Sequence, residues 1–390
     1  MNRTPAATLG HRPALDVLRG VAVLLVIALH YAGRARPLIP GAGIGVNVFF
    51  VLSGFLITRL LVEELHRDGR IDLRAFMRRR AARLLPALVP LLAWVLVAEF
   101  LFGIYGDPAG VLRGVAATAL YVRNWLTVAG MGEPALGIAW SLAVEEQFYL
   151  LWPPMFILIA RRSGLRRVRH VANGLVFVAV AQTAVRSAVF GHSVEVLKTA
   201  TDTNGMIGLM AGCALALQLR IEPARGNDRR RWQMAAMAGA GALAALVLFV
   251  GDSTLLPRGG WAIAALGSAA IIGWTIRALP STAGTRLRTL RWIGRHSYAL
   301  YLWHLPVFAL VLAWAPGVGE VGSRVVAFAG SLVVAWVSMR FVEAPARRWI
   351  LTRAPQRAVD VTDRVDLRRE GSGDDGELVL DDVERIRPVG

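Results

Sequence analysis

The sequence predicts an all-α, polytopic membrane protein with about ten transmembrane helices plus one re-entrant or interfacial helix. Three observations carry that prediction. Hydrophobic residues make up 55% of the 390-residue chain and charged residues only 18%, against about 25% charged in an ordinary soluble domain. The apolar residues run in stretches near the ~20 residues that a helix needs to cross ~30 Å of hydrocarbon. Arginine concentrates in alternate connecting segments. Together these exclude a soluble globular enzyme and a disordered chain. The single cysteine, Cys213, excludes an intramolecular disulfide and a cysteine-based zinc site. A net charge of +17 would point to nucleic acid in a soluble protein. Here the connecting loops account for it, and no nucleic-acid partner is expected.

Spans are expected at 14–33, 43–63, 84–104, 140–160, 171–190, 203–219, 233–250, 259–278, 297–315 and 323–342. Segments 64–83, 161–169, 220–232 and 277–296 each hold five or more Arg, while the alternate loops are nearly bare. The positive-inside rule puts the basic set in the cytoplasm, with both termini, and the chain in the inner (plasma) membrane. That count works only if 109–129, which carries Arg113, Arg123 and Asn124, does not cross. It is therefore expected to be the re-entrant or interfacial helix, on the outer side. The first span holds Asp16, Arg19 and His30, and no small-residue cleavage site follows it, so it is not a cleaved signal. Residues 1–350 form the membrane domain. Residues 351–390, densely charged and carrying the turn-like Gly371 to Gly376, are expected to be a disordered cytosolic tail.

Ionisable side chains inside spans are costly and mark function. Arg19 and His30 are eleven residues apart, ~16 Å along one helix face at 1.5 Å per residue. Asp16, three residues before Arg19, is placed to pair with it. The second span enters from outside with Asn47, then Ser53 between close-packing Gly45 and Gly54. The fourth enters as Trp140-Ser141-Leu142-Ala143-Val144-Glu145-Glu146, with Ser141 and Glu145 on one face. Trp140 and Tyr149 are interfacial anchors or packing residues. The ninth carries His304 ~10 Å deep, and the tenth ends at Glu343. On this reading His30, Asn47 and Glu145 share a depth near the outer side and form an acid–base constellation. A neutral His can take a hydroxyl proton while a carboxylate orients it. No phosphate-cradling Gly-rich loop, paired-His metal helix or nucleophile elbow is present.

At these residues the chain resembles the membrane-bound acyltransferase-3 family, bacterial O-acetylases of surface glycans and antibiotic sugars. The resemblance runs from about Leu15 to Arg348. It rests on Leu15-Asp16-Val17-Leu18-Arg19-Gly20 with His30, on Gly45 to Gly54, and on Phe76 to Ala87. Trp140 to Trp152, Ser297-Tyr298 through His304-Leu305-Pro306, and Glu343-Ala344-Pro345 complete the order. The resemblance implies an acyl-CoA-dependent membrane O-acyltransferase, with no bound cofactor. Its donor would be acetyl-CoA or another acyl-CoA, its acceptor a sugar-containing molecule, and its surroundings membrane lipid. It makes His30 either the base for the acceptor hydroxyl or the carrier of a transient acyl group. Arg19, Arg78, Arg79 and Arg83 become candidates for the donor's phosphates. Ser53, Trp140 and His304 become further substrate-binding candidates. The family usually has Asp where this chain has Asn47, so either Glu145 supplies the orienting charge or that position is structural. Buried Arg, His and Glu also suit a proton-coupled transporter, which the absence of inverted repeats disfavours. The sequence names neither the acceptor nor the oligomeric state.

Overall fold

The computed structural model describes residues 9–33, 39–131, 135–190, 201–219, 224–250 and 256–352. Beyond Thr352, the expected tail lies outside them. Every regular element among the described residues is helical.

Local chemistry sets the helix ends. Pro13 opens α1 (Pro13–Tyr31), where its fixed φ suits a first turn. α2 (Ile44–Asp68) stops at Gly69, whose φ of 67° lets its N–H close on the Leu65 carbonyl. The Asp72 carboxylate caps α3 (Leu73–Phe102), accepting the Ala75 N–H at 2.8 Å. Asp107 caps α4 (Pro108–Ala119) in the same way, and α5 (Arg123–Val128) follows. The 52-residue α6 (Ala139–Phe190) breaks at Gly164, with φ 70° and ψ 174°. Then come α7 (Thr201–Gln218), α8 (Gly226–Phe249), α9 (Trp261–Arg277) and the short α10 (Arg288–Arg295). After α11 (Ser297–Trp314), α12 (Gly319–Val337) continues through a π turn at Ser338–Glu343 into α13 (Ala344–Thr352).

Among the described residues, eight helices are long and apolar enough to cross a membrane. The protein is a multi-pass membrane protein, and each expected span overlaps a helix, that at 203–219 being a shorter apolar one. The stretches 140–160 and 171–190 lie on the two sides of the non-helical Gly164, so the Arg-rich segment 161–169 joins two helices through a single residue. Two expectations change. The helix expected from 84 starts at Leu73, so Arg78, Arg79, Arg80 and Arg83 belong to α3 rather than to a connector. The weak stretch 109–129 divides into α4 and α5, both too short to cross at 1.5 Å per residue. Tyr121 between them has φ 55°, a left-handed conformation that ends one helix before the next begins.

α2 is central, packed against α1, α6, α7 and α9. Two glycines make this possible. A Cβ at Gly45 would sit 2.5 Å from the Ala22 carbonyl of α1, and one at Gly54 would strike the Leu209 carbonyl of α7. Backbones that touch in this way give the van der Waals packing that joins helices in lipid. Trp152, Phe156, Phe55 and Leu61 are buried, whereas Leu101, Phe177 and Val321 are more than 70% exposed and form the apolar exterior. The α2–α3 turn and the Gly164 break lie together, Leu9 just before α1 donates to Glu63 near the end of α2 at 2.8 Å, and α10 crosses α1 at Asp16 and Gly20. We call this the basic end.

Candidate active site

The site begins in the last turn of α1. There the His30 ring meets that of His304 on α11, with His30 Nδ1 3.2 Å from His304 Nε2 and ring centroids 5.1 Å apart. His304 is fully buried. Its Nδ1 lies 2.8 Å from the Tyr301 carbonyl and 3.2 Å from that of Leu300. The Tyr31 hydroxyl donates to the His304 carbonyl at 2.6 Å, so α1 grips α11 on both sides of the pair.

One helical turn toward the basic end, the Tyr301 and Ser141 hydroxyls share a hydrogen bond of 2.6 Å, and Tyr301 also donates to the Ile138 carbonyl at 2.9 Å. This joins α11 to α6. Four residues further along α6 comes Glu145. Its Oε1 accepts hydrogen bonds from Ser53 and Tyr149 and a 3.4 Å contact from Arg80. Arg80 also reaches Glu146 at 3.0 Å and lies 3.6 Å over the Tyr149 ring. Arg19 and Arg83 complete the group: Arg19 interacts with Glu145, Tyr149 and Arg80, and Arg83 with Arg19. The Nε atoms of Arg19 and Arg78 are buried without a hydrogen-bond partner. Such donors are unsatisfied until an acceptor arrives. A column of polar side chains therefore runs from the arginines to the histidine pair.

The α4–α5 connector flanks this column. Gln147 Nε2 donates to the Tyr121 carbonyl at 2.8 Å and to Asn124 Oδ1 at 3.0 Å, fixing the strained turn. Burial, reinforced by Glu146, pushes the Tyr121 phenol up to about 12, so it stays protonated beside the acids.

The structure separates residues that the sequence reading had grouped. Glu145 does not share the depth of His30. It lies one turn, ~6 Å, below Ser141, which is level with Tyr301, itself a turn below His304. Its oxygen is engaged by Ser53, Tyr149 and Arg80 rather than by His30. Asn47 also departs. Gly45 is the α2 residue against α1, and two residues on, ~200° round the helix, Asn47 lies against Gly208 of α7. It is 1% exposed, and neither amide atom has a hydrogen-bond partner. Asp16 bonds to His11 at 2.9 Å instead of to Arg19, although its charge still reaches Arg19. Arg79 points outward to Glu64 at 2.9 Å. Trp140 packs edge-on to Phe50, 6.1 Å between centroids. Glu343 bonds to Ser338 at 2.8 Å.

Conversely, Arg80, Glu146, Tyr149, Tyr301 and Ser141 line the column, and none was singled out as a site residue. Arg80 is findable: Phe76, Arg80, Arg83 and Ala87 are spaced 4, 3 and 4, one face of a helix, whereas Arg79 lies ~100° and Arg78 ~200° round from Arg80.

An acyltransferase-domain family model matches residues 12–340. The chain belongs to this acyltransferase family. It is 31% identical to the peptidoglycan O-acetyltransferase OatA of Listeria monocytogenes, over 89% of this chain and 58% of that protein. It is 30% identical to the O-acetyltransferase OatA of Staphylococcus aureus, over 86% and 57%. It is 33% identical to the putative peptidoglycan O-acetyltransferase YrhL of Bacillus subtilis, over 86% and 55%. The chain thus spans little more than half the length of these curated relatives. No solved structure matches it. Within the family match lie the histidine pair and all the arginines of the column.

Proposed function

We propose that the protein moves an acetyl group from acetyl-CoA to a sugar hydroxyl of a cell-envelope glycan. The observation that carries this reading is the polar column. It joins a cluster of guanidinium groups near the basic end to a histidine ~16 Å further along α1, inside a bundle whose outer surface is apolar. In this reading the basic end, with both termini, faces the cytoplasm of the inner membrane. The phosphates of the donor bind there to Arg19 and Arg83, whose planar forks suit phosphate oxygens. Arg80 is held back by Glu145 and Glu146 and braces the site. The thioester end reaches along the column to His30. The acceptor hydroxyl attacks the thioester carbonyl as its proton passes to His30. The C–S bond breaks, the new C–O bond remains as an ester, and the proton on His30 goes to the departing thiolate. His304 is then part of the catalytic apparatus rather than a donor-binding residue. The names of two relatives, both peptidoglycan O-acetyltransferases, support a glycan acceptor.

The test is the full chain, purified in lipid nanodiscs, with acetyl-labelled acetyl-CoA and soluble peptidoglycan fragments. The reading expects ester-linked label in the glycan. Thioester turnover with no label in any glycan would contradict it.

A further inference from the structure

Asn47 faces α7, and Glu145 is held by Ser53, Tyr149 and Arg80. The ring of His304, 3.2 Å from His30 Nδ1, bears on which nitrogen of His30 is protonated. Resting on the reading above, we propose that His304 is the positioning residue that locks His30 into its Nδ1–H tautomer and leaves Nε2 as the base.

Proton bookkeeping leads there. Backbone carbonyls only accept hydrogen bonds. His304 Nδ1 lies 2.8 Å and 3.2 Å from two of them, so it carries a proton. A neutral imidazole has one such proton, so His304 Nε2 holds a lone pair. That lone pair faces His30 Nδ1 at 3.2 Å. The proton between the rings therefore belongs to His30 Nδ1, and the lone pair of His30 is on Nε2. His304 is fully buried, and its backbone is tied down by Tyr31, so it cannot turn to offer another pattern without losing these bonds. When His30 Nε2 takes the hydroxyl proton, the Nδ1 proton leans on His304 Nε2. The positive charge is shared between the two rings and steadied by the Tyr301 carbonyl that accepts from His304 Nδ1–H, and the pair returns to neutral when the thiolate is protonated. A neutral histidine thus does the orienting that a carboxylate does in a triad, and no buried negative charge is needed beside His30.

The experiment is 15N NMR of the full chain, with 15N-histidine in nanodiscs, read beside acetyl transfer. Protonated and lone-pair ring nitrogens differ widely in shift, and the His30 signals are found among those of the seven histidines by their loss in His30→Gln. The expected result is His30 protonated on Nδ1 in the wild type. In His304→Phe, His30 should revert mainly to the Nε2–H form that free imidazoles prefer, and kcat should fall 100-fold or more with KM for acetyl-CoA within threefold. In His304→Gln the side-chain carbonyl accepts from His30 Nδ1, so the tautomer should persist and kcat should recover to within about tenfold of wild type. A wild-type His30 protonated on Nε2 overturns the proposal, whatever the variants do. So does an unchanged tautomer or unchanged kcat in His304→Phe. The wild-type spectrum needs no variant to fold and no turnover, so an inactive preparation with the Nδ1–H pattern counts against acetyl transfer and not against the tautomer lock.

Discussion

The two ends of the polar column are built on opposite principles. Near the basic end, Glu145 collects Ser53, Tyr149 and Arg80, and Arg80 also grips Glu146 at 3.0 Å. Glu145 and Arg80 each hold more than one partner there, and these contacts tie α6 to α2 and α3. At the far end, His30 and His304 meet through a single 3.2 Å contact between rings that can both be neutral. A buried, multiply bonded ion pair holds helices in register, and its groups change protonation only at high cost. A neutral imidazole pair costs little to bury and moves a proton readily. In the proposed reading, charge frames the site and the proton moves at the imidazole pair.

The largest effect expected is at the neutral end. His30→Gln should lower acetyl transfer by about 10²–10⁴-fold, the usual worth of a positioned base, with thermal stability in detergent unchanged. Wild-type turnover in that variant would remove the contrast altogether. Next is the charged end. Glu145→Ala leaves Ser53 and Tyr149 without their acceptor and Arg80 with Glu146 alone, and should destabilise the protein by about 1–3 kcal/mol, the cost of unsatisfied buried groups. Differential scanning fluorimetry reads this directly. A variant as stable as wild type but inactive would make the cluster chemical rather than structural.

Arg19→Ala should act between the ends. Removing a charged donor to phosphate costs about 1.5–3 kcal/mol, so KM for acetyl-CoA should rise about tenfold to a hundredfold while kcat changes little. An equal loss of donor and acceptor affinity would make Arg19 a packing residue. The smallest effect concerns Asn47. Its amide is buried against Gly208 with both polar atoms unmatched, and an unmatched buried group costs about 1–3 kcal/mol. Asn47→Leu, of similar volume, should keep or raise the melting temperature and retain transfer. Loss of transfer with stability intact would show that the amide meets substrate. Asn47→Asp, with no cation described beside it, should destabilise.

Much of this fold was legible because lipid is a strict solvent. Runs of apolar residues must be helices there, and each expected span overlaps one. The breaks were less legible. Five arginines between 161 and 169 mark the connection between two spans, and the structure narrows its break to one residue, Gly164. Charge density marks where a chain leaves the hydrocarbon, not how long the connection is. The site was half legible. His30, Arg19, Ser53, Glu145 and His304 all lie on the column, because an ionisable group in a span needs a reason. What failed was depth. Counting residues from each expected entry point put Glu145 level with His30, since the count assumes that every helix begins at the same plane. The α1 helix reaches well past the start of α2, for Gly45 meets Ala22 and not a residue near His30. Asn47 failed for rotation: its sequence neighbours were right, but ~200° of helix turns it from α1 to α7. Partners such as Tyr301 and Ser141, 160 residues apart, come from tertiary packing that no local pattern shows.

The account stands on a donor that enters among the arginines and reaches the histidine pair from that side. Sealed proteoliposomes of known orientation test it most directly, with labelled acetyl-CoA on one face and peptidoglycan fragments on the other. Label should appear in the glycan only when acetyl-CoA bathes the face bearing the α2–α3 turn. Equal labelling from either face, or labelling only from the opposite one, would contradict the account.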